Sequence, residues 1–149
     1  MNGRWAMLAG SLLVIAMTLG MAGVAPADPK CTDRTLDGFY VFTAQGWANV
    51  NPGPPLPVAI VEQIRFNGDG TVDVPGGRVA FNGLIFPTIS TGTCTIGSLT
   101  PPNKGCEGIL TFPGPINLYM FIPPDAENIQ LIRTDANNVF QGTATKVSK

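Results

Sequence analysis

The chain contains no histidine, and only 13% of its 149 residues are charged, against about 25% in ordinary soluble proteins. Without histidine, the commonest metal ligand, the usual general base near neutral pH and the partner of a catalytic serine are all missing. The sequence also lacks a Cys-x-x-Cys pair and a glycine-rich phosphate loop. Its formal net charge of −1 leaves no basic stripe for a phosphate backbone. These absences predict no metal site, no cofactor and no nucleic-acid partner.

Residues 1–27 have the three zones of a secretory signal peptide. Arg4 supplies a positive charge near the start, residues 5–24 are uncharged with an apolar centre at 12–17, and small residues precede Asp28. We predict cleavage after Ala27 and a secreted or cell-envelope location, with residues 28–149 as one domain and no stable membrane insertion after cleavage. The alternative is a retained leader that anchors the chain, because the uncharged stretch is about long enough to span a bilayer.

Three cysteines, Cys31, Cys94 and Cys106, follow the leader, and exported proteins meet conditions in which disulfides form and persist. Three cysteines allow one bridge and leave one thiol over. A Cys31–Cys106 bridge would close a long loop and remove entropy from the unfolded chain. A Cys94–Cys106 bridge would instead join neighbouring strands across one turn. The sequence predicts one disulfide and one buried thiol, and it leaves the pairing open.

Short runs rich in β-branched and aromatic residues alternate with turn signals along the rest of the chain. Glycine (18) and proline (14) are abundant, and no segment after the leader keeps the 3.6-residue apolar period of a helix. Turn signals at intervals of about ten residues predict an all-β fold. We predict a single small antiparallel barrel of about eight strands, because an up-and-down barrel leaves no exposed edge. The predicted strands are residues 38–47, 58–66, 71–74, 78–86 (interrupted at Asn82-Gly83), 89–96, 109–112, 116–122, 128–134 and 138–146.

Glu62 is the most unusual residue of these strands, because it shares an alternating face with apolar side chains on both sides. If that face points into the barrel, burial would raise the pKa of the carboxyl, and Glu62 could act as an acid, a base or a ligand anchor. The alternative places Glu62 near a barrel mouth, where it is solvated or paired with an arginine. The candidate arginines are Arg65, Arg78 and Arg133.

Four further residues are candidates for binding a ligand. Arg133 interrupts an apolar face of its strand as Glu62 does, and its alternative role is a rim ion pair of little energetic consequence. Tyr40, Phe42 and Tyr119 would line a ligand cavity if the barrel is hollow, or form an ordinary core if it is filled. With Glu62, these residues make up the predicted site.

Six strand and turn signatures follow one another along the chain. They are Leu36-Asp37-Gly38-Phe39-Tyr40-Val41-Phe42, Phe66-Asn67-Gly68-Asp69-Gly70-Thr71, Thr91-Gly92-Thr93, Cys106-Glu107-Gly108-Ile109-Leu110, Ile132-Arg133-Thr134-Asp135 and Gly142-Thr143-Ala144. In this order they resemble small secreted bacterial proteins of unknown function. In those proteins a cysteine near the start accompanies the Cys-x-Gly motif, so the resemblance implies a Cys31–Cys106 bridge, with Cys94 where the pattern usually has tyrosine. More loosely, the strand layout is similar to the barrel of allene oxide cyclase and dirigent proteins, which implies an interior that holds small apolar molecules.

Three hypotheses for the function follow. The lack of catalytic groups and the aromatic-rich strands favour a non-enzymatic barrel that binds a small apolar ligand or a surface partner. The alternative is a cofactor-free barrel cyclase or isomerase in which Glu62 assists proton movement. A third hypothesis is a structural, envelope-associated protein without a small-molecule site. A hollow interior would distinguish the first two from the third, and the direction of the Glu62 side chain decides whether the second is tenable.

Overall fold

Eight antiparallel strands form one closed barrel, in which each strand pairs with the next in sequence and the last pairs with the first. The computed structural model describes residues 31–48, 54–100, 103–114, 116–136 and 138–149, so the predicted leader lies outside the described residues. The predicted all-β barrel of eight antiparallel strands is confirmed. The strands are β1 (Gly38–Ala48), β2 (Leu56–Phe66), β3 (Thr71–Phe81), β4 (Leu84–Ser98), β5 (Cys106–Phe112), β6 (Ile116–Ile122), β7 (Asn128–Arg133) and β8 (Asn138–Ser148).

The alternation of apolar and polar residues decides which side chains enter the barrel. In β1, Tyr40, Phe42 and Ala44 are buried, whereas Val41 and Thr43 between them are exposed. Because successive side chains of a strand point to opposite faces, the first set fills the interior and the second covers the outside. The same two-residue period places Glu62 of β2 on the inner face.

Asn82 and Gly83 form a complete chain reversal between β3 and β4. Both residues have positive φ, 46° and 84°, and Phe81 pairs directly with Leu84 across the turn. Positive φ at both central positions is the signature of the two-residue hairpin turns that match strand twist, and Asn-Gly is the pair that adopts it most readily. The prediction of one strand over residues 78–86 is therefore wrong. Its two halves belong to adjacent strands.

A bulge interrupts β3 at Pro75-Gly76. The pairing register shifts there on both sides of the strand, towards β2 and towards β4. Val72 and Val74 face inward before the bulge, whereas Gly77 lies on the inner row after it, opposite Glu62. One extra residue changes which positions face inward, so the bulge keeps both halves of β3 apolar on the inside.

The end of the barrel near the start of β1 is closed by packed side chains. A 3-10 helix, Asp33–Leu36, precedes β1, and its Leu36 side chain is fully buried. The Tyr40 hydroxyl donates a 3.0 Å hydrogen bond to the carbonyl of Ala126, and its ring meets Phe66 edge-on at 5.3 Å. These contacts fill this end of the interior, which we call the closed end.

Cys31 and Cys106 form a disulfide at the closed end, with their Cα atoms 5.7 Å apart. The bridge ties the segment before the 3-10 helix to the start of β5 and confirms the pairing implied by the resemblance. Ser98 of β4, and not Cys94, lies opposite Cys106. Cys94 is four residues away along β4, about 13 Å, which is too far for a bridge. It is buried as a free thiol, and burial, assisted by Asp33 and Asp69, raises its pKa to about 11.

The opposite end of the barrel, which we call the mouth, is only partly filled. It is formed by the end of β1, the start of β2, the β3–β4 turn and the start of β8. A cavity of about 340 Å³ lies inside this half. Within the described residues, no helix is long and apolar enough to cross a membrane.

Candidate functional site

The cavity in the mouth half has a predominantly apolar wall and a few polar groups. It has a volume of about 340 Å³, within the range of about 300–1,000 Å³ that is usual for small-molecule pockets. Its polar side chains are Glu62, Thr88, Ser90 and Arg133. The apolar side chains that line it are Phe42, Val58, Ile60, Val74, Val79, Phe81, Pro87, Ile89, Phe112, Pro113, Ile116, Leu118 and Phe140.

Part of β4 has an open edge beside this cavity. Among the described residues, β4 pairs with β5 only over residues 93–98, whereas residues 84–92 pair with β3 alone. Pro87 and Ile89 on that segment line the cavity together with Pro113 and Ile116 from the β5–β6 turn. The cavity therefore reaches the surface through a side gap between the open edge of β4 and this turn.

Glu62, Gly77 and Thr88 form a row across three adjacent strands. Glu62 of β2 pairs with Gly77 of β3, which pairs in turn with Thr88 of β4. A Cβ atom at Gly77 would lie 2.2 Å from the Cβ of Glu62 and 2.6 Å from Oγ1 of Thr88. Glycine is needed here because the neighbouring side chains occupy the space above it, which leaves the carboxyl and hydroxyl groups beside one another on the cavity wall.

The Glu62 carboxyl faces the cavity and is half-buried. Burial raises its pKa above the ordinary value of 4.5, and the neighbouring Thr88 hydroxyl acts weakly in the opposite direction. The Thr88 oxygen itself is buried and has no hydrogen bond of regular geometry. Among the described residues Glu62 has no ion-pair partner, because the sole salt bridge there joins Arg133 to Asp135. The alternative of a carboxylate paired with an arginine is therefore wrong.

The other two arginines considered as partners for Glu62 lie elsewhere. Arg65 stacks over the ring of Phe39 at 5.1 Å, and Arg78 donates a 2.7 Å hydrogen bond to the carbonyl of Gly77. Both side chains are exposed on the outer face. Neither arginine lines the cavity, whose charged side chains are Glu62 and Arg133.

Arg133 lies at the rim of the cavity and is held by neighbours. Its Nε donates to Asp135, which also accepts hydrogen bonds from the backbone and side-chain amides of Asn117. Burial tends to raise the pKa of Asp135, but these hydrogen bonds outweigh it and hold the pKa below the ordinary value. The guanidinium lies over the Phe140 ring at 5.4 Å. Arg133 is thus a fixed cation at the edge of the cavity.

The structure separates the two tyrosines from the remaining predicted site residues. Tyr40 belongs to the closed end, where burial, together with Glu127 and Asp37, raises its pKa to about 12. Tyr119 does not line the cavity. Its hydroxyl donates to Glu107, and this hydrogen bond raises the tyrosine pKa. Phe42, Glu62 and Arg133 are brought together around the cavity, and Tyr40 and Tyr119 are not.

Sequence reasoning missed three residues that shape the site, Gly77, Thr88 and Ser90. A Pro-Gly-Gly step inside a β-rich run is a signal for a bulge or a close approach, and it marks Gly77. Thr88 and Ser90 give no such signal, because small hydroxyl residues are common on solvent-facing strands. Their inward direction follows from the Asn82-Gly83 reversal, which sets the register of β4 against β3.

No group of three or more metal-ligating side chains is present in the described part of the chain. Comparison with known protein families, with curated proteins and with solved structures finds no match.

Proposed function

We propose that this protein is an exported, non-enzymatic barrel that binds a small, mostly apolar ligand in the cavity of its mouth half. The observation that carries the proposal is a hollow of about 340 Å³ in a barrel whose other end is densely packed. Packed protein interiors leave few voids larger than a water molecule, so a hollow of this size distinguishes a barrel that can take a ligand from one that is filled by its own side chains.

The polar groups of the cavity indicate what the ligand carries. The buried Thr88 hydroxyl has no hydrogen bond of regular geometry, and the Glu62 carboxyl is the polar group beside it whose pKa it lowers. The Glu62 carboxyl beside it has a raised pKa and no cation to pair with among the described residues. A ligand with one hydroxyl, amide or amine group would satisfy both side chains while its apolar body contacts the aromatic wall. We therefore infer an apolar molecule with one hydrogen-bonding group.

Export supports this proposal from the sequence. A leader with the zones of a signal peptide precedes the barrel, and the Cys31–Cys106 disulfide suits an oxidising compartment. Binding and carrying small apolar molecules is a task that a cofactor-free barrel performs outside the cytosol.

Filling the cavity is expected to abolish binding of an apolar dye. Ser90→Leu adds apolar volume to the cavity wall, whereas Ser98→Leu on the same strand lies at the closed end, where the side chain is exposed. In fluorescence titrations with N-phenyl-1-naphthylamine, a neutral dye, wild type and Ser98→Leu should show saturable binding. Ser90→Leu should bind at least about tenfold more weakly, the loss of about 1.4 kcal/mol.

Two results would contradict the proposal. Equal dye binding by Ser90→Leu and Ser98→Leu would place the dye outside the cavity. Absence of dye binding by the wild-type protein would favour the structural, envelope-associated alternative.

The position of Glu62 supports a second candidate function, proton transfer to or from a bound apolar substrate. Its carboxyl faces the cavity and has a raised pKa, which is the environment of catalytic acids and bases. A cofactor-free cyclase or isomerase would use the cavity to shape the substrate and Glu62 to move the proton. Catalysis by this route would be lost in Glu62→Gln, whereas ligand binding would persist.

Burial of Glu62 predicts a pH-dependent effect of Glu62→Gln on stability. Because the folded-state pKa is raised, this carboxyl holds its proton more tightly in the folded than in the unfolded chain. The stability that the protonated carboxyl contributes is fully present below pH 4.5, the ordinary pKa of the group, and it is lost as pH rises through the raised pKa of the folded state. Urea unfolding measures the free energy of unfolding of both proteins. Relative to wild type, Glu62→Gln should become progressively more stable as pH rises from 4.5 to the folded-state pKa, and the difference should stay constant at higher pH.

Thr88→Val provides the matched test. The Thr88 hydroxyl lowers the pKa of Glu62, so its removal should extend the pH range of the effect upward. A pH-independent difference between Glu62→Gln and wild type would show that the carboxyl is solvated in the folded protein.

A further inference from the structure

Exposed apolar side chains surround the mouth of the barrel. Trp47 and Val139 are paired on the outer faces of β1 and β8, and they are 54% and 74% exposed. Leu84, Ile85 and Phe86 begin β4 with exposures of 67%, 69% and 47%. We call these five residues the mouth belt.

The belt lies on opposite sides of the barrel. In a closed barrel of eight strands β4 and β8 are four strands apart, so Ile85 and Val139 face outward in opposite directions. On β4 itself the alternation directs Leu84 and Phe86 to one face and Ile85 to the other. A single flat partner surface therefore cannot cover the belt from one side.

Charged side chains are concentrated at the end of the barrel opposite to the mouth belt. Residues 79–103 contain no charged side chain, and they include the β3–β4 turn and all of β4. Most charged residues of the described chain lie at the closed end or in the loops around it. They are Asp33, Arg34, Asp37, Asp69, Lys104, Glu107, Asp125, Glu127, Lys146 and Lys149.

We propose that the mouth belt docks the barrel, mouth first, on an uncharged lipid surface. Apart from the Arg133–Asp135 ion pair, whose charges cancel, the described residues around the mouth are uncharged. This low net charge suits the apolar interior and neutral headgroups of such a surface, and the charged closed end stays in water. Tryptophan and exposed aliphatic side chains are the groups that enter membrane interfaces. The exposed Arg78 lies four residues back from the turn, about 13 Å along the tilted strand β3, and its long side chain can extend towards phosphate groups.

A second copy of the chain fits the belt less well than lipid does. The belt exposes about 600 Å² of side-chain surface spread around the rim, whereas a stable protein pair buries about 800 Å² on each partner in one contiguous face. The open edge of β4 is also poorly suited to adding a strand. Phe81 and Leu84 close the hairpin as a hydrogen-bonded pair, so the nitrogen of Pro87 faces the open edge and supplies no N–H.

The test uses the form of the protein that an expressing bacterium exports, with its amino terminus identified by mass spectrometry. Flotation with phosphatidylcholine vesicles compares wild type, Ile85→Asp/Val139→Asp and Val147→Asp. Val147 is 54% exposed near the end of β8 at the closed end, so its substitution adds one charge away from the belt. All three substituted side chains are exposed, so the variants should fold as wild type does.

Wild type and Val147→Asp are expected to float with the vesicles, and the belt variant should bind at least about tenfold more weakly, because each charge opposes burial of its side chain in the interface. Failure of wild type to bind, or equal loss in Val147→Asp, would overturn the proposal. A solution dimer that Ile85→Asp/Val139→Asp converts to monomer would also overturn it, in favour of a second copy on the belt. Dye binding to the cavity is measured without lipid, so either proposal can fail alone.

Discussion

Loss of the Cys31–Cys106 disulfide is expected to lower the free energy of unfolding by about 4 kcal/mol. The bridge joins residues 75 positions apart. In the chain-entropy account, closing a loop of this length lowers the entropy of the unfolded chain and so destabilises the unfolded state by about 4 kcal/mol. This is a large share of the total free energy of unfolding, which is usually about 5–15 kcal/mol, and the barrel of this domain is partly hollow. Urea unfolding of the wild-type protein with and without a thiol reductant measures the effect.

Cysteine variants separate the bridge from the free thiol. Cys31→Ala/Cys106→Ala should unfold at low urea concentration and respond no further to the reductant. Cys94→Ala removes a buried side chain but no cross-link, so it should retain the full response. A wild-type protein whose unfolding midpoint is unchanged by reduction would show that the bridge does not contribute to stability.

Gly77→Ala is expected to destabilise the barrel by about 1–3 kcal/mol and to disturb the cavity. The added Cβ would lie 2.2 Å from the Cβ and 2.7 Å from the Cα of Glu62, so the backbone of β2 would have to shift. Thermal unfolding measures the loss of stability, and titration with the neutral dye measures the loss of binding.

Gly76→Ala is the matched control on the same bulge. A Cβ at Gly76 meets no atom within 4 Å, and the change should alter stability by no more than about 0.5 kcal/mol. Equal destabilisation by the two variants would attribute the effect to the flexibility of the bulge instead of the close approach at Gly77.

The apolar face of β2 that carries Glu62 could be predicted, but neither the direction of that face nor the environment of the carboxyl could. Alternation along β2 places Glu62 on the same face as Ile60 and Ile64, and this pattern is local to one strand. Whether a cation meets the carboxyl depends on strands far along the chain. Asp135, two residues after Arg133, holds that guanidinium at the rim. This contact cannot be predicted from the residues of β2.

The two tyrosines show the same limit. Tyr40 and Tyr119 both occupy aromatic-rich strands, and a sequence pattern does not tell a packed end of a barrel from a hollow one. The 3-10 helix and the Ala126 carbonyl close the barrel above Tyr40, whereas the partner of Tyr119 is Glu107 on the neighbouring strand. The prediction of a ligand site therefore included two residues that lie away from the cavity.

The sequence by itself determined the all-β barrel of about eight strands and the apolar face of β2 that carries Glu62, because two-residue alternation and turn chemistry act over a few neighbouring residues. The tertiary structure alone decided the choice between two cysteine pairings that the spacing had left open, the register across the Pro75-Gly76 bulge and the hollow beside Thr88. These features depend on which strands become neighbours once the barrel closes. Closure sets the distances between residues far apart in the chain, and those distances determine both the cavity and the position of the mouth belt.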